Sequence, residues 1–210
     1  MGDGKANRAT LTRSLGDYAT RRRESLSIII STKIHAMGLN SSHLSDLRFS
    51  GSFEFCSKNE QSTETLGAAL GAVFEAGVVV ALVGELGAGK TRLVQTIAAA
   101  MGVERRLVNS PTFILIQEYD ARIPIYHFDA YRLHDTDEFL ELGADELMDS
   151  DGVCLIEWAN RVAGILPKDV LRIEIEITGT QSRLFHFTAA GPKSESVLAR
   201  LRQNLTGPTS

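Results

Sequence analysis

An α/β fold follows from three observations on this 210-residue chain. Val78 to Val83, VVVALV, has the length and β-branched content of a buried strand. The chain then passes through Gly84, Glu85, Leu86, Gly87, Ala88, Gly89, Lys90 and Thr91, which fits the pattern G-x-x-x-x-G-K-[ST] without a mismatch. Beyond it, Leu93, Ile97 and Ala100 recur at helical spacing, so the glycine loop joins a strand to a helix N-terminus.

That context suits a polyphosphate. Successive backbone N–H groups in a glycine loop, together with the free N–H groups of a helix start, can surround several negative charges. Gly84, Gly87 and Gly89 allow close backbone approach where a Cβ would collide. Lys90 can reach the β- and γ-phosphates, and the Thr91 hydroxyl can ligate Mg²⁺. An incidental glycine turn would not be expected to sit in both the right pattern and the right flanking structure.

Composition is that of a globular protein, with 43% hydrophobic and 23% charged residues, and LSIII and VVVALV are both too short to span a bilayer. Cys56 and Cys154 fit neither a disulfide framework nor a metal-ligand spacing, which predicts two reduced core thiols and a cytoplasmic setting. Charge divides the chain. Residues 1–50 hold 8 Lys and Arg against 4 Asp and Glu, whereas 51–210 hold 14 against 22, giving +4 and −8. The first 50 residues, with Arg21, Arg22 and Arg23, many serines and little periodicity, are expected to be a weakly ordered basic extension. A start misplaced upstream of Met37 and a transit peptide are the other readings, with Asp3, Asp17 and Glu24 counting against the second. The domain proper is expected over residues 51–206.

From Gly51 the elements become regular. Phe53 and Phe55 alternate within Ser52 to Cys56, predicting a strand at or beside a sheet edge. Asn59 is placed to cap a helix carrying Leu66, Leu70 and Phe74 and ending at Gly77; Gly102 is placed to close the helix after the loop. Ser110 and Pro111 break the chain before a strand over Phe113 to Tyr119, which should pair as a hairpin with Ile123 to Asp129. In that second strand His127 and Asp129 share a face opposite Phe128, and Asp129 falls at the strand end. Asp135 to Met148 reads as an acidic helix with Phe139, Leu140 and Leu147 on its apolar side. Val153 to Trp158, VCLIEW, is an apolar strand ending in a carboxylate, the form of a magnesium-binding Walker B element, with Glu157 as the ligand. Val170 to Ile177 and Arg183 to Thr188 complete an antiparallel pair, and Glu195 to Leu205 a last helix.

Some of these residues admit plainer roles: Asp129 as a strand-end turn residue, Glu157 as a surface carboxylate, Trp158 as a packing group. His127 and His134 lack a second ligand at fitting spacing and read as structural. Arg132 could stabilise phosphoryl charge or form a surface ion pair. Guanine specificity is not expected, because the N/T-K-x-D element is absent, and Asp149 to Gly152 is better read as a turn.

In order, GELGAGKT, VNSPTF, YHFDAYRL and LIEWANR closely resemble the motifs of the TsaE family (also called YjeE), over about residues 53 to 187. The resemblance implies a P-loop α/β domain, three-layered, with a mixed parallel and antiparallel sheet, which agrees with the hairpins. It also implies that the segment 84–91 binds ATP with Lys90 on the phosphates and Thr91 on Mg²⁺. Thr112 resembles a switch-type threonine near the γ-phosphate, Asp129 the essential acidic residue, Glu157 a second metal-associated carboxylate and Trp158 the tryptophan after it. The segment from Asn59 to Thr63 resembles the helix start near the nucleotide. Residues 1–50 have no counterpart in the family, and Ala159 stands where proline is frequent.

By this resemblance the chain is an Mg²⁺-dependent ATPase, weak alone, that supports a TsaB–TsaD heterodimer in making threonylcarbamoyladenosine in tRNA. Contact with tRNA would be indirect, since a core of net charge −8 offers few cations for phosphate neutralisation. Asp129 or Glu157 would position or deprotonate water. Two other readings of the loop are a small-molecule kinase, for which no arginine-rich lid is evident, and a nucleotide-gated binding module.

Overall fold

The computed structural model describes residues 51–112 and 114–206. The expected basic extension at 1–50 and the end of the chain beyond residue 206 lie outside them.

Seven strands form one sheet in the order β1-β7-β6-β2-β5-β4-β3. Four parallel strands make its centre: β6 (Leu171–Ile177), β2 (Val79–Gly84), β5 (Val153–Glu157) and β4 (Ile125–Asp129). Antiparallel strands flank it, with β7 (Arg183–Ala189) and β1 (Gly51–Ser57) on one side and β3 (Ile116–Tyr119) on the other. The burial pattern explains the split. β5 is buried at every position, as a strand covered on both faces must be, whereas β1 and β6 alternate. The mixed sheet and the edge position expected for the first strand are both present.

Helices α1 (Glu60–Val73), α2 (Lys90–Ala100) and α5 (Pro192–Thr206) cover one face, packing Leu66, Leu70, Leu93, Ile97 and Leu201 on Val80, Leu82 and Leu155. The other face carries α3 (Thr136–Glu141), α4 (Ala144–Met148) and short 3₁₀ turns, where Phe139 meets Phe128 edge-on at 5.1 Å between ring centroids. Three layers result, with an apolar core on each side of the sheet.

Asn59 caps α1 as expected, through a reciprocal box: Ser62 N–H donates to Asn59 Oδ1 at 3.0 Å and Asn59 N–H to Ser62 Oγ at 3.1 Å. The helix stops at Val73 instead of continuing to Gly77, because Arg122 from the β3–β4 connection donates to the carbonyls of Gly71 (2.5 Å) and Phe74 (2.8 Å). Gly102 closes α2 in the left-handed region, φ 105°; of the residues at helical spacing Leu93 and Ile97 are buried and Ala100 is exposed. Phe113, the expected start of the hairpin strand, lies outside the described residues; the strand begins at Ile116, after Leu115, which adopts φ 64° and donates its N–H to the Pro111 carbonyl at 2.6 Å. The acidic helix is two, broken at Gly143 with φ 72°, and Leu140 is exposed. Of the two cysteines only Cys154 is a core thiol, pushed up to about 12 by burial; Cys56 is exposed on an edge strand.

A candidate nucleotide-binding site at the carboxyl ends of the parallel strands

The cross-strand register fixes the site. Glu157 lies opposite Leu82 on one side and Asp129 on the other, so the ends of β2, β5 and β4 open at one level. In open α/β sheets ligands bind outside the carboxyl ends of the strands, and here the glycine loop leaves β2 at that level.

The loop turns through three glycines in the left-handed half of the backbone map: Gly84 (φ 157°), Gly87 (φ 78°) and Gly89 (φ 104°). A Cβ on Gly84 would sit 2.7 Å from the Ile175 carbonyl oxygen, so β6 leaves no room for a side chain there. Ala88 N–H donates back to the Glu85 carbonyl at 3.1 Å. Among the described residues no backbone carbonyl takes the N–H of Gly87, Gly89, Lys90 or Thr91. Those donors, at the start of an eleven-residue helix, are what an anion requires.

A cavity of about 330 Å³ opens over the loop, lined by Gly87, Gly89, Lys90, Thr91, Thr112, Asp129, Glu157 and Trp158 among others. Lys90 is only 4% exposed; Nζ donates to the carbonyls of Gly84 (2.8 Å) and Glu85 (3.0 Å) and lies 3.6 Å from the Trp158 ring centroid. Burial lowers its affinity for the proton, opposed by the charges of Glu157 and Asp129. Thr91 Oγ1 donates to Glu157 Oε2 at 2.9 Å, and Glu157 Oε1 lies 2.9 Å from His127 Nε2. Both Glu157 and Asp129 are 2% exposed, so neither is a surface carboxylate. Asp129 accepts from Ser110 Oγ (2.7 Å), Thr112 Oγ1 (2.6 Å) and the Tyr131 N–H (2.9 Å). It is both a turn residue, capping the short helical turn after β4, and part of the cavity wall.

The structure therefore brings together Lys90, Thr91, Thr112, Asp129, Glu157 and Trp158 with the loop. Gly84 and Glu85 meet Lys90 through their carbonyls; Leu86 stands 76% exposed at the rim; Ala88 is buried beneath. Asn59 and Thr63 do not line the cavity. Asn59 is spent on the helix cap, and Thr63 Oγ1 lies 2.8 Å from Ser57 Oγ in a buried contact. Arg92, which lines the cavity, links their helix to the site by pairing with Glu60 and Glu64. Arg132 is exposed and outside the cavity, and His134 is exposed as well.

Trp158 follows β5 with φ 57°, unusual for a bulky side chain, and this turn sets its ring beside Tyr131 at 4.8 Å between centroids. Two contributors escape a motif-by-motif reading. Ser110 is a chain breaker by sequence yet joins Thr112 on one carboxylate oxygen; the signal was its place two residues before Thr112. His127 reads as structural, yet it is fully buried against Glu157; its signal was the i, i+2 relation to Asp129 on one strand face.

Among the described residues no three His, Cys, Asp or Glu side chains gather as a metal cage. The hard oxygens of Thr91, Glu157 and Asp129 beside orphaned N–H groups fit a different arrangement, in which a few protein ligands share Mg²⁺ with phosphate and water.

Comparison with known proteins identifies the family. The family model described as threonylcarbamoyl adenosine biosynthesis protein TsaE matches residues 57–185. The chain is 40% identical over 147 residues to the tRNA threonylcarbamoyladenosine biosynthesis protein TsaE of Bacillus subtilis, covering 70% of this chain and 91% of that one. It is 39% identical to the protein of the same name from Treponema pallidum, covering 60% and 93%. The crystal structure of Bacillus subtilis YdiB superposes with a TM-score of 0.65 at 33% identity, over 74% of this chain and 97% of that one. The chain belongs to the TsaE family of threonylcarbamoyladenosine biosynthesis proteins.

Proposed function

We propose that this protein binds ATP with Mg²⁺ over the loop 84–91 and hydrolyses it to ADP and phosphate, in support of threonylcarbamoyladenosine formation in tRNA by a TsaB–TsaD heterodimer in the cytoplasm. The observation that carries the proposal is the set of unpaired N–H groups at Gly87, Gly89, Lys90 and Thr91, aimed from a helix start and faced by two buried carboxylates.

In this reading the N–H groups and Lys90 hold the phosphates. Lys90 exchanges the carbonyls of Gly84 and Glu85 for phosphate oxygens, a move of a flexible side chain that keeps its charge buried but paired. Thr91 with Glu157 or Asp129 would hold Mg²⁺, which when bound would supply positive charge beside the phosphates. Phosphoryl transfer asks mainly for positioning and charge stabilisation, so the chain's part is to hold the phosphates, exclude bulk water and orient one water through a carboxylate. Asp129 is suited to couple Thr112 to that event, because an anion that attracts the Thr112 hydroxyl competes with the carboxylate holding it. Thr91 and His127 occupy both oxygens of Glu157 and fix its orientation.

The test is calorimetric titration with ADP, ATP and GTP in the presence of Mg²⁺. The proposal expects adenine nucleotides to bind in preference to GTP and Lys90→Ala to lose most of the affinity. Failure of every nucleotide to bind the folded wild type would overturn it. A phosphorylated acceptor in place of free phosphate would point to the kinase alternative.

A further inference from the structure

We infer that Arg183, the first residue of β7, is a positioning residue for the phosphate loop; the inference rests on the nucleotide-binding reading above and goes beyond the motif. Its Nε donates to the Ala88 carbonyl at 3.0 Å and its Nη2 to the Gly87 carbonyl at 3.3 Å, across 95 and 96 residues of sequence. Nη1 donates to the carbonyls of Gly179 (3.0 Å) and Ser182 (2.8 Å) in the β6–β7 turn. One planar guanidinium therefore spans the loop and the turn.

The consequence for the loop follows from peptide geometry. In a trans peptide the C=O of one residue and the N–H of the next point in opposite directions. Holding the Ala88 carbonyl on Arg183 turns the Gly89 N–H away from Arg183, and Gly89 lines the cavity with that N–H unpaired. Holding the Gly87 carbonyl likewise orients the Ala88 N–H toward Glu85, which closes the bend of the loop. Two successive peptide planes are set by a side chain outside the motif. A Cβ on Gly87 or Gly89 would meet no atom within 4 Å, so no side-chain packing at these two positions holds the loop.

Charge adds a second effect. Among the described residues Arg183 makes no ion pair with a carboxylate; its hydrogen-bond partners are all main-chain carbonyls. A half-buried guanidinium that stays charged and is not neutralised by a side chain raises the potential behind the loop, where a polyphosphate would sit. Lysine could supply the charge but not the fork that spans two carbonyls.

The experiment measures the Mg–ADP dissociation constant, together with KM and kcat for ATP, for wild type, Arg183→Ala and Arg183→Lys, with Lys90→Ala as control and a melting curve for each. Arg183→Ala is expected to weaken ADP about 10- to 100-fold and raise KM similarly, with kcat within a few-fold, since the groups facing the phosphates are untouched. Arg183→Lys should fall between, which a charge effect alone would not produce. Arg183→Ala and Arg183→Lys proteins that melt cooperatively and bind ADP as wild type does would overturn the inference, as would a fall in kcat at unchanged KM. If Arg183→Ala does not fold, Arg183→Lys decides by the same criteria. A wild type that binds no ADP is a distinct result, which overturns the nucleotide reading itself.

Discussion

Thr91 Oγ1 donates its one hydrogen to Glu157 Oε2 over 2.9 Å, tying the first turn of α2 to the last residue of β5. The bond joins a hydroxyl at a helix N-terminus to a carboxylate 2% exposed, and His127 holds the other oxygen. The carboxylate is therefore oriented before any ligand arrives, and its proposed task depends on its charge. Glu157→Gln preserves shape while removing that charge. Phosphate release should fall about 10²- to 10⁴-fold while ADP affinity changes only several-fold. A Glu157→Gln protein that still supports tRNA modification would favour the nucleotide-gated binding module instead.

Asp129 is held by three donors, from Ser110, Thr112 and Tyr131, in a nearly dry setting. Asp129→Ala removes the acceptor the three share, although the Ser110 and Thr112 hydroxyls, 2.7 Å apart, can still bond each other. Ser110 and Tyr131 are exposed and Thr112 is half-buried, so water can replace the lost acceptor; urea denaturation should register a loss of about 0.5–1.5 kcal/mol, with hydrolysis lost as well. Asp129→Asn, which keeps one acceptor oxygen, should lose less stability.

Trp158 is the sole tryptophan of the chain, and Lys90 Nζ sits 3.6 Å from its ring centroid. If Lys90 leaves the ring for phosphate, tryptophan emission must change on adding Mg–ADP. The same titration on Lys90→Ala should start from a different emission and respond weakly. An emission unaltered by saturating ADP would contradict the placement of the nucleotide beside Lys90.

Helices α1 and α2 touch through glycine. A Cβ on Gly67 would fall 1.8 Å from Thr96 Oγ1 and 2.4 Å from Thr96 Cβ. Since Thr96 is itself held by a bond to the Leu93 carbonyl at 2.8 Å, the helices must separate to admit it. Gly67→Ala should cost about 1–3 kcal/mol of stability, readable as a lower thermal midpoint, despite the better helix propensity of alanine.

Asp169 caps α5 from outside the helix, accepting from the N–H of Lys193 (2.8 Å) and of Ser194 (2.9 Å). Partial burial pushes its carboxyl up, but those bonds, the Ser194 hydroxyl and the Lys193 charge together hold it below the usual range. A carboxylate whose folded value is depressed adds stability that is complete above its unfolded value, about 3.9, and is lost as the pH falls through the folded value. Asp169→Ala should thus be about 1–2 kcal/mol less stable near neutrality, with the gap from wild type closing in strong acid. An unchanged gap from pH 7 to pH 2 would contradict the cap.

Local pattern carried much of this architecture. The loop, its strand and its helix are visible because G-x-x-x-x-G-K-[ST] requires each residue for a chemical reason, and Glu157 because four apolar residues bury whatever ends their strand. The Asn59 cap is legible because its partner lies three residues away. Long-range contacts are not. Arg122 ends α1 from 48 and 51 residues away, and Arg183 meets the loop from 95 and 96. Neither has a local signature, since an arginine near a turn reads as a surface charge. Asn59 and Thr63, expected near the nucleotide by resemblance, lie outside the cavity lining, Asn59 in the helix cap and Thr63 against Ser57 at the end of β1. Cys56 sits on an edge strand whose alternation places it outward, a consequence of Phe53 and Phe55 facing the core.

The most direct test of the central claim is phosphate release from ATP and from GTP by the purified protein, alone and with TsaB–TsaD, using Lys90→Ala as control. The account predicts a slow, ATP-selective activity that rises with the heterodimer and vanishes in the variant. Nucleotide that binds tightly but is hydrolysed no faster with TsaB–TsaD, or hydrolysis that survives in Lys90→Ala, would contradict it.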